Sequence, residues 1–254
     1  MSLAIPSFII GIMIGWTSIG GAALMTPFLI IFVGVRPLTA VGTDLVYGAL
    51  ARFVAAAMHW RQGTVDLGTV RRLALGSVPA SFVGFLAGHN LYRFGINGDE
   101  WARRAIGVVL VVVAIVTLYR TIFASQSSRR TAPPPNRALI VCMGALVGLA
   151  VGITSVGSGS LLAPFLLLLF PNSPSRVVGT DVFHAAILVA ATSVLYMNVG
   201  QVEWRLIPAL LVGSIPGVII GSMMAVHLPT RLLRFGLSAL LFAIGYQLIG
   251  PIAF

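Results

Sequence analysis

The chain has 254 residues, 58% of them hydrophobic and only 9% charged, with a mean hydropathy of +1.01. That mix excludes an ordinary soluble domain. Apolar runs longer than the roughly 20 residues of a spanning helix, without the alternation of a barrel strand, predict an all-α integral membrane protein in the cell membrane. The net charge of +10 comes from arginine alone, and nearly all of it falls at the ends of apolar runs, where it sets topology rather than binding nucleic acid.

Eight apolar segments are predicted in chain order, at residues 3–34, 39–60, 69–92, 101–124, 138–170, 177–198, 205–227 and 231–253. No basic stretch or cleavage site precedes the first, so the amino terminus reads as part of the mature protein. The first and fifth segments are too long for one crossing and short for two. Each carries a Thr-Ser-x-Gly stretch near its middle and a proline after it, which should break the helix. Ser125 to Asn136, with three consecutive prolines, reads as a linker, giving a first repeat at 1–124, a linker at 125–137 and a second repeat at 138–254.

Sliding the sequence by 137 residues without a gap superposes the two halves. Thr17, Ser18 and Gly20 fall on Thr154, Ser155 and Gly157, Thr43 and Asp44 on Thr180 and Asp181, and Ser77 on Ser214. An apolar chain written twice predicts a transporter built from related halves. Setting Arg52 aside, single crossings for the long segments would divide the arginines almost evenly between the membrane faces. Re-entrant hairpins would gather Arg61, Arg71, Arg72, Arg120, Arg129, Arg130, Arg137, Arg176, Arg231 and Arg234 on one face. This favours an inverted repeat opened in each half by a hairpin, with a cytoplasmic linker and both termini outside. A parallel repeat is the alternative.

The breaks supply the first candidate binding groups: Thr17, Ser18, Gly20 and Gly21, with Thr154, Ser155, Gly157, Ser158 and Gly159. Unwound backbone at membrane depth lines a cavity, and helix ends there direct amide donors at an anion. Close packing of small residues is the competing reading. Asp44 and Asp181 lie inside apolar segments, as groups for proton coupling or for orienting site donors, or as helix caps. Arg52 sits mid-segment, and its repeat counterpart is Val189. It offers a fixed donor fork to an oxyanion, or it merely pairs with a carboxylate; Asp44 lies eight positions away near the same helical face, roughly 12 Å along the axis. His184, aligned with Tyr47, is a proton relay or a packed neutral ring. The repeated Gly63-Thr64-Val65-Asp66 and Gly200-Gln201-Val202-Glu203 read as turns. The single Cys142 and four scattered histidines predict no disulfide, metal or cofactor.

The glycine-rich break before Pro27 and Pro164, the Val-Gly-Thr stretches ending at Thr43 and Thr180, and Gly63-Thr64-Val65-Asp66 resemble the TauE/SafE family of sulfite and organosulfonate exporters, over nearly the whole chain. The resemblance implies a secondary transporter, not an enzyme, that exports a small sulfur anion by alternating access. It adds Thr43 and Thr180 to the substrate-binding residues. The expected partners are a small anion, the bilayer and a coupling proton, with no nucleic acid, and an oligomer is compatible with this reading. Two departures stand out: the family's run of three glycines is reduced to Gly20-Gly21-Ala22 and Gly157-Ser158-Gly159, and aspartate follows each threonine. A passive anion channel is the alternative. So is an intramembrane hydrolase, using Ser158 or Ser160 with His184, or Asp44 with Asp181.

Overall fold

The computed structural model describes residues 3–16, 21–91, 97–123, 136–156, 161–162, 165–166, 169–170, 173–224 and 231–250. The regular secondary structure of the described residues is helical, with no strand among them. The helices are α1 (Ala4–Trp16), α2 (Gly21–Ile31), α3 (Pro37–Arg61), α4 (Leu67–Leu91), α5 (Gly98–Phe123), α6 (Arg137–Thr154), α7 (Pro174–Asn198), α8 (Leu206–Met224) and α9 (Arg231–Ile249). Six of them, α3 to α8, are long and apolar enough to cross a bilayer. The boundaries fall within a few residues of the predicted segments. The breaks in the first and fifth segments, residues 17–20 and 157–160, and most of the linker lie outside the described residues.

The repeat is visible in local structure. Pro37 and Pro174 open equivalent helices at the first helical positions, where a missing N–H costs nothing, behind the N-cap residues Arg36 and Ser173. Both helices end on a glycine with positive φ, Gly63 at 67° and Gly200 at 71°. In each, the next amide turns back on the last turn, Thr64 N–H to the His59 carbonyl at 3.2 Å and Gln201 N–H to the Tyr196 carbonyl at 3.1 Å.

The halves interlock. α1 packs chiefly on α8, and α6 on α4, so each half lends its opening helix to the other. Small residues allow the close approach: a Cβ on Gly11 would strike the Ser214 backbone, and one on the equivalent Gly148 the Ser77 backbone. α3 packs on α7 and α5 on α9, each helix against its own repeat counterpart. Contacts along α3 and α7 run in opposite order, Gly42 beside Tyr196, Gly48 beside Val189 and Thr64 beside Gly179, so these equivalent helices are antiparallel. They are also the most deeply buried of the candidate spans.

The path of the first segment follows from the same contacts. α3 starts beside Glu203, meets Ile207 through Val46 and ends with His59 against the Gly15 backbone. It therefore runs parallel to α8, which in turn runs parallel to α1. The chain between α1 and α3 has to run back, and α2 does so. Arg176 reaches Asp66 and Thr39 reaches Gln201, joining loops that single crossings would set on opposite faces of the membrane.

Candidate functional site

Asp44 lies on the second turn of α3, too deep to be a cap, and is buried. Its Oδ2 accepts hydrogen bonds from Thr26 Oγ1 on α2 and Ser155 Oγ at the end of α6, both at 2.7 Å. One carboxylate oxygen thus ties the opening hairpin of the first half to the break of the second. Its Oδ1 is buried without a hydrogen-bond partner. Ser155, at φ 62°, is the one non-glycine with positive φ among the described residues. That left-handed geometry is strained for a serine, and it ends α6 with the hydroxyl aimed at Asp44. Thr154 closes the same end, its hydroxyl donating to the Ala150 carbonyl at 2.8 Å and accepting from Val156 N–H at 3.1 Å.

Arg52 is two turns beyond Asp44 on the same face of α3 and 5% exposed. Helical side chains lean toward the N-terminus, and this one folds back over Gly48 so that its guanidinium feels Asp44 first, then Tyr47 and Asp181. Among the described residues, the ion pairs within 4 Å are Arg104 with Glu100 and Arg176 with Asp66. Arg52 is therefore a buried cation with carboxylates near it but none in contact. Tyr47 lies on the same stretch of α3, its buried Oη facing the Ser214 hydroxyl on α8 without closing a well-formed hydrogen bond. The Oγ atoms of Ser214 and Ser222 are likewise buried and unpartnered. The cation and the phenol are thus buried on α3, and the serine hydroxyls on the helix that packs against α1.

The repeat sets a second cluster on α7 and α4. Asp181 and His184 are fully buried, one turn apart. His184 Nε2 lies 2.8 Å from Ser77 Oγ, and its Nδ1 has no hydrogen-bond partner. The pair His184 and Ser77 is the exact counterpart of Tyr47 and Ser214, while Val189 replaces Arg52.

Thr43 and Thr180 sit elsewhere, at opposite ends of the α3–α7 pair, and their hydroxyls anchor loops. Thr43 donates to the Thr39 carbonyl at 2.7 Å and accepts from Glu203 N–H at 2.8 Å; Thr180 accepts from Asp66 N–H at 3.0 Å. The turn motifs are the other half of these clamps. At one end Arg176 Nη2 adds an ion pair to Asp66 Oδ2 at 2.9 Å; at the other Thr39 Oγ1 donates to Gln201 Oε1 at 3.0 Å. Partial burial pushes the Asp66 carboxyl up, but Thr69 and the Arg176 guanidinium outweigh it and hold the group below the ordinary carboxylate range.

Of the other expected residues, Gly21 opens α2, and Thr17, Ser18, Gly20, Gly157, Ser158, Gly159 and Ser160 fall outside the described residues. His184 meets Ser77, and the pairing expected of it with Ser158 or Ser160 falls on residues outside those described. Thr26, Tyr47, Gly48, Ser77 and Ser214 were not among the expected site residues, although the repeat matches Ser77 to Ser214 and Tyr47 to His184. The signal that could have found two of them was present, since Ser77 and Ser214 are polar, apolar-flanked and exactly one repeat apart. No group of described histidine, cysteine and carboxylate side chains has the geometry to hold a metal.

Residues 3–248 match the family described as Sulfite exporter TauE/SafE. A probable membrane transporter protein of Bacillus subtilis, YjnA, is 39% identical over 98% of this chain and 99% of its own length. Another from the same organism, YdhB, is 24% identical over 92% and 94%, and one from Xylella fastidiosa (strain 9a5c) is 26% identical over 93% and 90%. No solved structure matches significantly. The match spans both halves, both clamps and both polar clusters, and with its membrane-spanning helices the chain belongs to the TauE/SafE family of multi-pass cell-membrane transporter proteins.

Proposed function

We propose that the protein is a secondary transporter exporting a small sulfur oxyanion, sulfite or a C2 sulfonate of the sulfoacetate type, and that Arg52 is its principal anion contact. The observation that carries this reading is the buried guanidinium without a contacting carboxylate, beside the unpartnered Tyr47 and Ser214 hydroxyls. A planar donor fork takes two oxygens of a sulfur oxyanion, and in this reading the phenol and serine donate to the third. Asp44 holds the field of Arg52 in the empty site and competes with the anion for it. Protonation of Asp44 would free the guanidinium, which couples anion binding to a proton.

The halves form an inverted repeat in this reading, with the antiparallel α3 and α7 at the centre. Release of the Thr180–Asp66–Arg176 clamp opens one end, and release of the Thr43–Glu203 and Thr39–Gln201 contacts opens the other. The end carrying Arg61, Arg71, Arg72, Arg137 and Arg176 faces the cytoplasm. Counterflow in proteoliposomes preloaded with sulfite, sulfoacetate, taurine, sulfate or chloride tests the reading. Accumulation of labelled sulfonate is expected only with sulfite or sulfonates inside, and is lost in Arg52→Ala. Electrodiffusive uptake without stimulation from the trans side would make the protein a channel, and full counterflow by Arg52→Ala would remove Arg52 from the site.

A further inference from the structure

The two clusters occupy equivalent places, yet they differ at one coordinated pair of positions. Residues 48 and 52 are Gly and Arg on α3, and residues 185 and 189 are Ala and Val on α7. A Cβ at Gly48 would sit 2.5 Å from Arg52 Nη1 and 3.8 Å from Val189 Cγ1. The guanidinium therefore lies in the space that a side chain at position 48 would fill. Where the long cation is absent, the helix carries the Cβ.

We infer that the chain has a single anion site, built on the first half, and that Gly48 is the positioning residue that seats Arg52 within it. This rests on the anion reading of Arg52. Gly48 faces Val189 across the crossing of α3 and α7, so an arginine at 189 would bring a second guanidinium to the same buried crossing. Two like charges there would repel strongly in a dry environment. The duplication thus keeps one cation, and the glycine under it, in one half. The second cluster retains a carboxylate, an imidazole and a serine, with Val189 at the position of the arginine, so the Arg52 guanidinium is the one whose field reaches both Asp44 and Asp181 among the described residues.

Glycine within a transmembrane helix often serves helix packing, and the alternative for Gly48 is the approach of α7. The geometry separates the two roles. The atom nearest to a Cβ at 48 is the end of a flexible side chain, whereas at Gly11 or Gly148 it is the backbone of a neighbouring helix. Gly48→Ala should therefore leave the fold in place and move the guanidinium.

The test is a double-mutant cycle of wild type, Gly48→Ala, Arg52→Val and the double variant, which gives the first half the Ala and Val pair of the second. Each is measured by thermal unfolding, by counterflow of sulfite and sulfoacetate, and by equilibrium binding of labelled sulfite to count sites. Gly48→Ala is expected to raise the half-saturating concentration by about tenfold or more, the scale of one displaced charge-assisted hydrogen bond, with the maximal rate and melting temperature little changed. In the Arg52→Val background the same alanine should change no transport parameter and should raise the melting temperature by about 2–4 °C, as a better helix former entering vacated space. Should Gly48→Ala alone fail to fold, its rescue by Arg52→Val would equally show that the two side chains compete for one space.

Wild type should bind one sulfite per chain and Arg52→Val none. Two sites per chain would overturn the single-site inference. Wild-type affinity in Gly48→Ala, with Arg52→Val inactive, would overturn the seat alone. Full transport by Arg52→Val would overturn the anion reading, and the thermal cycle would still report whether Gly48 and Arg52 share a space.

Discussion

The two polar clusters began as copies of one sequence and now differ in what their polar groups lack. On α3 and α8, a tyrosine faces a serine without a closed hydrogen bond, and an arginine lies near two carboxylates without touching either. On α7 and α4, the serine is paired with a histidine, and a valine stands in the arginine's place. Buried polar groups are usually satisfied, so unpartnered hydroxyls beside a guanidinium suit a ligand, while the second cluster, whose His184 Nδ1 also lacks a hydrogen bond, offers a serine–imidazole pair with valine at the arginine's position. Duplication supplies two equivalent frames, and a few substitutions divide their work.

The largest expected effect breaks the comparison at its charged position. Arg52→Met, of similar length and without charge, should lower sulfite counterflow by about a hundredfold, the order of one lost charge-assisted contact of 2–3 kcal/mol. The equivalent Val189→Ala should keep transport near wild type and lower only thermal stability, by about 1–2 kcal/mol for a small truncation in a packed site. Equal losses of counterflow at the two positions would mean that both halves contact the anion.

The next effect separates the serines. Ser77→Ala leaves His184 Nε2 without its 2.8 Å partner in a fully buried place, which should cost about 1–3 kcal/mol in thermal or denaturant unfolding. Ser214→Ala removes a hydroxyl that has no hydrogen bond, so stability should hold or rise while the half-saturating sulfite concentration increases several-fold. If Ser214→Ala is the more destabilising of the two, the open cluster is not on α3 and α8.

The sequence made much of this frame legible because a repeat and a charge count are one-dimensional signals. The helix boundaries, the pairing of Thr43 with Thr180, and the gathering of Arg61 and Arg176 at one end all follow from periodicity, a fixed offset and the arginine distribution. Contacts between halves were not legible. Ser155 meets Asp44 across 111 positions and Glu203 meets Thr43 across 160, and nothing in a single sequence ranks such pairs. Thr43 and Thr180 accordingly read as members of a motif, while the interlocked packing gives their hydroxyls to loop backbones. Arg52 stood out because it breaks the repeat. Gly48 did not, because one glycine among 28 carries no signal until the guanidinium is seen above it.

A smaller effect should confirm what the halves still share. Gly63→Ala and Gly200→Ala each force a side chain into a left-handed turn that has open space around it, so strain alone sets the penalty. Each should cost about 1–2 kcal/mol, and the two should agree within experimental error. A large difference would show that one clamp bears more of the stability than its geometry indicates.

The smallest effect is a pH dependence confined to one end. Asp66 titrates below the ordinary carboxylate range because Thr69 and Arg176 outweigh the effect of partial burial, so its folded-state pKa lies below its unfolded one. Such a group stabilises the fold fully above the unfolded pKa, near 3.9, and the contribution disappears as pH falls through the folded value. Arg176 is half exposed, so screening by solvent limits the pair to about 0–1 kcal/mol. Thermal unfolding followed from pH 7 to pH 3 should show an acid loss of that size which Asp66→Asn removes. Thr39→Ala, at the position equivalent to Arg176, takes away a neutral hydrogen bond to Gln201 and should lower stability by a similar amount at every pH in that range. If Asp66→Asn leaves the acid limb unchanged, the ion pair does not stabilise its clamp, and the two ends differ only in the residues that anchor Thr43 and Thr180.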